Sequence, residues 1–341
     1  MADMSIEALR KQLKNAALDR CYLFYGKERY LLEHYSRQLR KAVLGAEDDP
    51  FNLRQLDGKN LEIYALTEAV DAYPAFAEKT LIEIRDYDFF QASEEEKKRI
   101  FGLLSDLPEY CCLVFLCDTV EITKDDRKKK VWKQLEKLAS LVEFPLQGQN
   151  ELIRWVQKHF AACGREITGE DAAYLIFLCG SQMDNLTNEI GKVAAYARDT
   201  KVRREEIDAV VVPIAEAQVF KVTDAIAGKN YEQAAELMYK LLQLNAEPTP
   251  INAAIGSQLR RLYASLLVKK AGGDAADLTK LLGGKSDYAS RQNLRLCSSF
   301  SEAWYLRMIR LSAETDLRMK SSQADPEDLL RSLFVTMVAE A

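Results

Sequence analysis

Seven consecutive residues carry no charged, amide or hydroxyl side chain: Cys111-Cys112-Leu113-Val114-Phe115-Leu116-Cys117. This run sets the strongest limit on the fold. It is too short to span a membrane, which takes ~20 residues, and it has neither helical nor alternating period. It reads as a strand buried on both faces, as in a parallel sheet covered by helices. The neighbouring sequence agrees. Cys21-Tyr22-Leu23-Phe24-Tyr25 is a second apolar run, ended by Gly26. Thr80–Ile84 and Leu141–Phe144 are strand-like, and Phe51–Leu56 alternates before stopping at Asp57-Gly58. Helical spacing fills the gaps: Ser5 to about residue 18, with Ser5 as N-cap, then 28–44, 60–70, 93–105 and a charged stretch over 126–139. Strand and helix in strict alternation predict an α/β domain over residues 1–146.

After Pro145 the strand patterns disappear. Asn150–Ala162, Thr168–Cys179, Asp184–Ala197 and Arg203–Val211 carry helical periodicity and predict a small helical domain over 147–212. Val212-Pro213 closes it, because proline discourages helix through the preceding residue. From Ala217 onward the pattern is helical again, punctuated by Glu247-Pro248-Thr249-Pro250, Gly272-Gly273 and Gly283-Gly284, which gives a third domain over 213–341. The predicted class is therefore α/β plus all-α.

Composition narrows the function. The chain has 341 residues, 48% of them hydrophobic and 29% charged, so it can bury a sizeable core. A formal net charge of −5 supplies no overall basic field for nucleic acid. No apolar run has the length of a membrane helix, and the first residues lack a signal-peptide core, so the expected location is cytoplasmic with no membrane partner. The seven cysteines form no C-x-x-C pair, and only two histidines are present. They read as reduced, buried thiols, with no metal site expected.

An α/β domain followed by a small helical domain raises the possibility of a P-loop ATPase. That loop needs G-x-x-x-x-G-K-[ST] directly after the first strand, so that backbone N–H groups wrap the phosphates. Counting from Gly26, the positions for Gly, Lys and Ser or Thr hold Leu31, Leu32 and Glu33. Asp86 and Asp118 end other strands, where a P-loop enzyme could hold Mg²⁺, but without the cradle they read as solvated strand-end residues. Gly283-Gly284-Lys285-Ser286 ends like a P-loop, yet Thr279 stands where its first glycine belongs and no strand precedes it, so it reads as an inter-helix turn. His34 and His159 have no nucleophile that sequence can pair with them. Neither a catalytic residue, a nucleotide-binding residue nor a cofactor is assigned. A divergent ATPase using Gly26 and Lys27 stays open as an alternative.

One connector is out of character. Asp71-Ala72-Tyr73-Pro74-Ala75-Phe76-Ala77-Glu78-Lys79 places aromatics where polar residues are usual. Either Phe76 folds back to cap the helix against the sheet, leaving an adaptor with buried aromatics, or it projects as an anchor for a partner's pocket.

Several segments resemble the bacterial DNA polymerase III delta family, in order and over essentially the whole chain. They are Tyr22-Leu23-Phe24-Tyr25-Gly26-x-Glu28, Asp57-Gly58, Pro74-Ala75-Phe76-Ala77-Glu78-Lys79-Thr80-Leu81-Ile82, Glu151-Leu152-x-x-Trp155-Val156, Asp184-Asn185-Leu186-x-Asn188-Glu189-Ile190-x-Lys192, Val219-Phe220-x-Val222-x-Asp224-Ala225-Ile226, Gln258-Leu259-Arg260-Arg261-Leu262 and Asp316-x-x-x-Lys320. The resemblance implies an AAA+-like parallel-sheet domain without ATP binding, a helical lid and a C-terminal helical collar. It implies a non-catalytic subunit of a DNA polymerase holoenzyme that binds and opens the sliding clamp (the beta subunit). The pentamer would also contain the motor subunits (tau/gamma) and delta prime and would act on primer–template DNA. Clamp binding would fall to Phe76 and Ala75, with Tyr73 and Pro74 beside them. Family members usually carry a larger apolar residue where this chain has Ala75, which leaves Phe76 as the main anchor.

Overall fold

The computed structural model describes residues 4–244, 247–283 and 287–341. The chain forms two compact units, Met1–Leu146 and Gln147–Ala341. In the first, the order is α1 (Ile6–Asn15), β1 (Cys21–Tyr25), α2 (Arg29–Leu44), β2 (Leu53–Asp57), α3 (Ile63–Asp71), β3 (Thr80–Arg85), α4 (Glu94–Ser105), β4 (Cys111–Leu116), α5 (Lys130–Leu138) and β5 (Ser140–Glu143). The strands make one parallel sheet in the order β2-β3-β4-β1-β5.

The two apolar runs lie where both faces are covered. Every residue of β1 and of β4 is buried. Successive side chains of a strand point to opposite faces. Tyr22 and Phe24 therefore meet Leu9 of α1 and Leu32, Tyr35 and Leu39 of α2. Cys21, Leu23 and Tyr25 meet the other layer, with Leu66 of α3, Ile100 of α4 and Trp132 of α5. Edge strand β2 has no fully buried residue. Local signals fix the helix starts: Ser5 Oγ accepts the Ala8 N–H at 3.1 Å, and Ser93 with Glu96 closes a capping box on α4. Gly58 is obligatory for a different reason, since a Cβ there would sit 2.3 Å from the Tyr87 backbone nitrogen.

The charged stretch over 126–139 is not one helix. Residues 126–128 form a single 3-10 turn, Lys129 is extended, and α5 begins at Lys130. The Asp126 carboxylate accepts the Thr123 N–H at 2.9 Å and hydroxyl at 2.6 Å, and Thr123 Oγ1 accepts the Asp126 N–H at 3.2 Å, a reciprocal cap that starts this short turn separately from α5.

One buried charge ties β3 to α2. Glu83, on the face that packs against α2, accepts from Arg40 Nε at 2.8 Å, Ser36 Oγ at 2.8 Å and Gln55 Nε2 at 3.2 Å. Burial pushes the Glu83 carboxyl up, but the bonds from Arg40, Ser36 and Gln55 outweigh it and hold the group below its usual value.

The second unit is helical: α6 (Gln149–Ala162), α7 (Gly169–Cys179), α8 (Met183–Tyr196), α9 (Arg204–Val210), α10 (Ala215–Ala227), α11 (Tyr231–Leu244), α12 (Pro248–Lys270), α13 (Ala275–Leu281), α14 (Asp287–Leu296), α15 (Glu302–Ser321) and α16 (Pro326–Ala339). Helix α12 is the axis of the C-terminal core, burying Ile251, Ile255, Leu259 and Leu262 among residues of α10, α15 and α16. Asn252 and Gln258, buried in that core, have their side-chain amides paired, as burial of an amide requires. Asn252 Nδ2 donates to the Ser312 carbonyl at 3.0 Å, and Gln258 Nε2 donates to Asn293 Oδ1 at 2.9 Å. Of the Gly283–Ser286 turn, residues 284–286 lie outside the described residues.

Six cysteines are buried, whereas Cys163, just past the end of α6, is exposed and departs from the expected pattern. Burial pushes the Cys111 thiol up to about 11 and those of Cys112, Cys117 and Cys179 up to about 12, so they stay protonated at neutral pH. Among the described residues no helix is long and apolar enough to cross a membrane.

The Glu83 cluster yields a stability prediction. Arg40→Met leaves a buried carboxylate short of its cation and should destabilise the first unit by about 3–5 kcal/mol at pH 7. Glu83 is depressed in the folded state, so its contribution is present above the ordinary glutamate pKa of ~4.3 and fades as pH falls below it. The gap between wild type and variant in urea melts should therefore hold from pH 7 to about pH 5 and narrow as pH falls below ~4.3. A gap that is constant with pH would contradict the assignment.

Candidate protein-binding site

The connector from α3 to β3 lies at the amino end of the sheet, because β3 starts at Thr80 beside the start of β4. Its two aromatics are exposed: Tyr73 is 81% and Phe76 103% accessible, while Pro74 and Ala75 are half-buried. Phe76 projects into solvent instead of folding back on α3.

A phenylalanine does not adopt this conformation unaided. Phe76 has φ +57°, in the left-handed region that bulky residues avoid by roughly 1–2 kcal/mol. The adjacent backbone is held from across the sheet edge. Asn52 Oδ1 accepts the Ala75 N–H at 2.7 Å, and Asn52 Nδ2 donates to the Ala75 carbonyl at 3.0 Å. Asn52 is itself buried and fixed, for its Nδ2 also donates to Asp49 Oδ2 at 2.8 Å and its carbonyl accepts the Leu81 N–H at 2.9 Å. On the other side Tyr73 packs on Tyr110, ring centroids 4.9 Å apart, and the Tyr110 hydroxyl donates to the Asp71 carbonyl at 3.3 Å.

Asn52, Phe51 and Tyr110 were not singled out by the sequence pattern. Phe51 reads as the first residue of an alternating strand, but β2 starts at Leu53 and Phe51 stands outside it, 63% exposed. The signal was Asp49-x-x-Asn52, a turn in which Asp49 Oδ1 accepts the N–H groups of Phe51 and Asn52 at 2.9 and 3.1 Å.

The carboxyl end of the sheet is where an α/β fold of this kind binds a ligand, at the point where the connections reverse direction. Gly26 has φ +131°, and a Cβ on it would lie 2.3 Å from the Phe144 carbonyl oxygen, which also accepts the Glu28 N–H at 3.0 Å. Helix α2 starts at Arg29, leaving three residues after β1 where a phosphate loop takes about eight. Leu32 is in the core, and Glu33 accepts from Arg85 Nη1 at 2.5 Å.

Asp86 and Asp118 are not the solvated residues their positions suggest. Asp86 is buried and accepts the Asp118 N–H at 2.8 Å and the Thr119 N–H and hydroxyl at 2.7 and 2.9 Å. Burial pushes Asp86 up, and these bonds outweigh it and hold the carboxyl below the usual range. The Asp118 carboxylate lies 3.1 Å from Arg29 Nη2 and 3.5 Å from Arg85 Nη1. Lys27 pairs with Glu121 at 3.3 Å. Long-range cations and strand-end N–H groups engage the carboxylates that a metal–nucleotide complex would need.

Comparison with known proteins follows the same lines. The family described as DNA polymerase III, delta subunit, matches residues 22–145, and the DNA polymerase III delta subunit, C-terminal domain, matches residues 216–337. The DNA polymerase III subunit delta of Bacillus subtilis (strain 168) is 25% identical over 336 residues, covering 95% of this chain and 94% of that protein. The probable DNA polymerase III subunit delta of Aquifex aeolicus (strain VF5) is 21% identical over 278 residues, covering 79% of this chain and 77% of its own. Among solved structures, the Bacillus subtilis DNA clamp loader delta protein shares the fold, with a TM-score of 0.60 at 20% identity over 97% of this chain and 98% of that one. The two matched stretches, one in each unit, together take in more than half of the residues, and the chain belongs to the DNA polymerase III delta subunit family.

Proposed function

We propose that this protein is the delta subunit of a clamp loader, which binds the sliding clamp and favours its opened ring for loading onto primed DNA. The observation that carries the reading is Phe76, fully exposed on a connector whose backbone is pinned by Asn52. An exposed aromatic on a fixed backbone is the usual form of an interface anchor, because little order has to be imposed when it binds. Tyr73, Pro74 and Ala75 border it. Small Ala75 contributes chiefly its backbone, which Asn52 grips. An adaptor with buried aromatics loses its premise, since Phe76 and Tyr73 face solvent.

Opening the ring demands more than tight binding. A partner shifts the closed–open equilibrium only by its differential affinity for the two states. In this reading residues 1–146 grip the clamp, 147–212 serve as the lid, and 213–341 form the collar shared with the motor subunits (tau/gamma) and delta prime in a pentamer in the cytoplasm. The chain performs no chemical step of its own. ATP acts on the neighbouring subunits, and primer–template DNA is met through the assembled complex. The ion pairs at the carboxyl end of the sheet support this division of labour.

Phe76→Ala should weaken binding of the full chain to its cognate sliding clamp at least about tenfold, the effect of removing a dominant anchor. Biolayer interferometry measures it, and unchanged affinity would contradict the assignment. For the rival reading, equilibrium binding of labelled ATP to the isolated chain should show no micromolar site. Micromolar affinity that disappears in Lys27→Ala would favour a divergent ATPase instead.

A further inference from the structure

We propose that Phe51 is a second anchor on the same docking surface, and that Asn52 is the positioning residue that fixes its spacing from Phe76. The inference rests on the reading of Phe76 as the clamp-binding anchor. Connectors entering three neighbouring strands each bring an aromatic to the amino end of the sheet: Phe51 before β2, Tyr73 and Phe76 before β3, and Tyr110 before β4. These connectors are stitched to one another. Asn52 bonds both polar groups of the Ala75 backbone, the Thr80 N–H donates to the Tyr110 carbonyl at 2.8 Å, and Tyr73 lies on Tyr110.

The bonds bring the two exposed phenylalanines close. Phe51 is covalently next to Asn52 and Phe76 next to Ala75, so the 2.7 Å bond between Asn52 and Ala75 limits their Cα separation to at most about 15 Å. A standard interface covers ~800 Å² on each partner, a patch roughly 30 Å across, so one footprint takes in both rings. Both are exposed, and an isolated pair of large apolar side chains this near a partner's contact point is covered when that partner binds. The occupant is therefore the protein that takes Phe76, the sliding clamp, and not a separate molecule.

Asn52 acts through geometry. Its side-chain amide substitutes for a backbone rung between two segments that are not paired strands, and it holds Ala75 while Phe76 stays left-handed. Removing it frees the connector to relax and uncouples the two rings.

The test is the affinity of the full chain for its cognate clamp in a mutant cycle of Phe51→Ala, Phe76→Ala and Asn52→Ala, with melting curves run alongside. Tyr64→Ala is the control, because Tyr64 is comparably exposed but sits at the start of α3, at the carboxyl end of the sheet and so at the end opposite this surface. Phe51→Ala should weaken binding at least about fivefold, the loss that marks an energetically important contact. Tyr64→Ala should leave binding unchanged. Asn52→Ala should weaken binding in the wild-type background but have no further effect once both phenylalanines are alanine, which a general loss of folding would not reproduce. If Phe76→Ala weakens binding and Phe51→Ala does not, the second anchor is wrong and the clamp reading stands. If neither has an effect, the clamp reading fails first. Should Asn52→Ala fail to fold, Phe51→Ala, at an exposed position, decides the matter alone.

Discussion

A sheet covered by helices on both faces meets other molecules chiefly at its ends, where the connectors lie. The apolar runs of β1 and β4 take helices on each side, and this fixes where function can lie: the carboxyl end or the amino end. At the carboxyl end, carboxylates, arginines and strand-end N–H groups are engaged with one another around Asp86 and Asp118. At the amino end, aromatic side chains are turned outward. The division of labour proposed for this member of the delta family follows from that asymmetry.

The two ends differ in how their polar groups are used. At the carboxyl end the bonds close the structure on itself. At the amino end Asn52 spends both halves of its amide on the backbone of Ala75 and stabilises a conformation that displays a hydrophobic ring. A left-handed phenylalanine is unfavourable in isolation, so its persistence depends on the surrounding bonds. Rigid display reduces the ordering that binding at the proposed anchor would have to impose.

Much of the fold was legible because it rests on periodicity. The buried runs announced β1 and β4, and helical spacing located the helices up to residue 211 within a few residues, while from Ala217 onward it gave helical character without the bounds of α10–α16. The misreadings came from contacts that periodicity does not encode. Residues 126–139 looked like one helix, but a separately capped turn at 126–128 and extended Lys129 precede α5. Asp86 and Asp118 looked solvated because the groups that engage them come from other elements, including Arg29 of α2. At the candidate site, Tyr73 and Phe76 stood out as aromatics on a connector. Phe51 was hidden inside an alternating pattern, and Asn52 was invisible because its partner lies 23 residues away.

The central claim is that a preformed aromatic surface at the amino end of the sheet is the one the clamp covers. Hydrogen–deuterium exchange on the full chain, with and without its cognate clamp, measures that directly. Slowed exchange concentrated in 49–53 and 72–80 is the expected result. Protection confined to the carboxyl end of the sheet or to residues 147–341, with 72–80 unchanged, would contradict it.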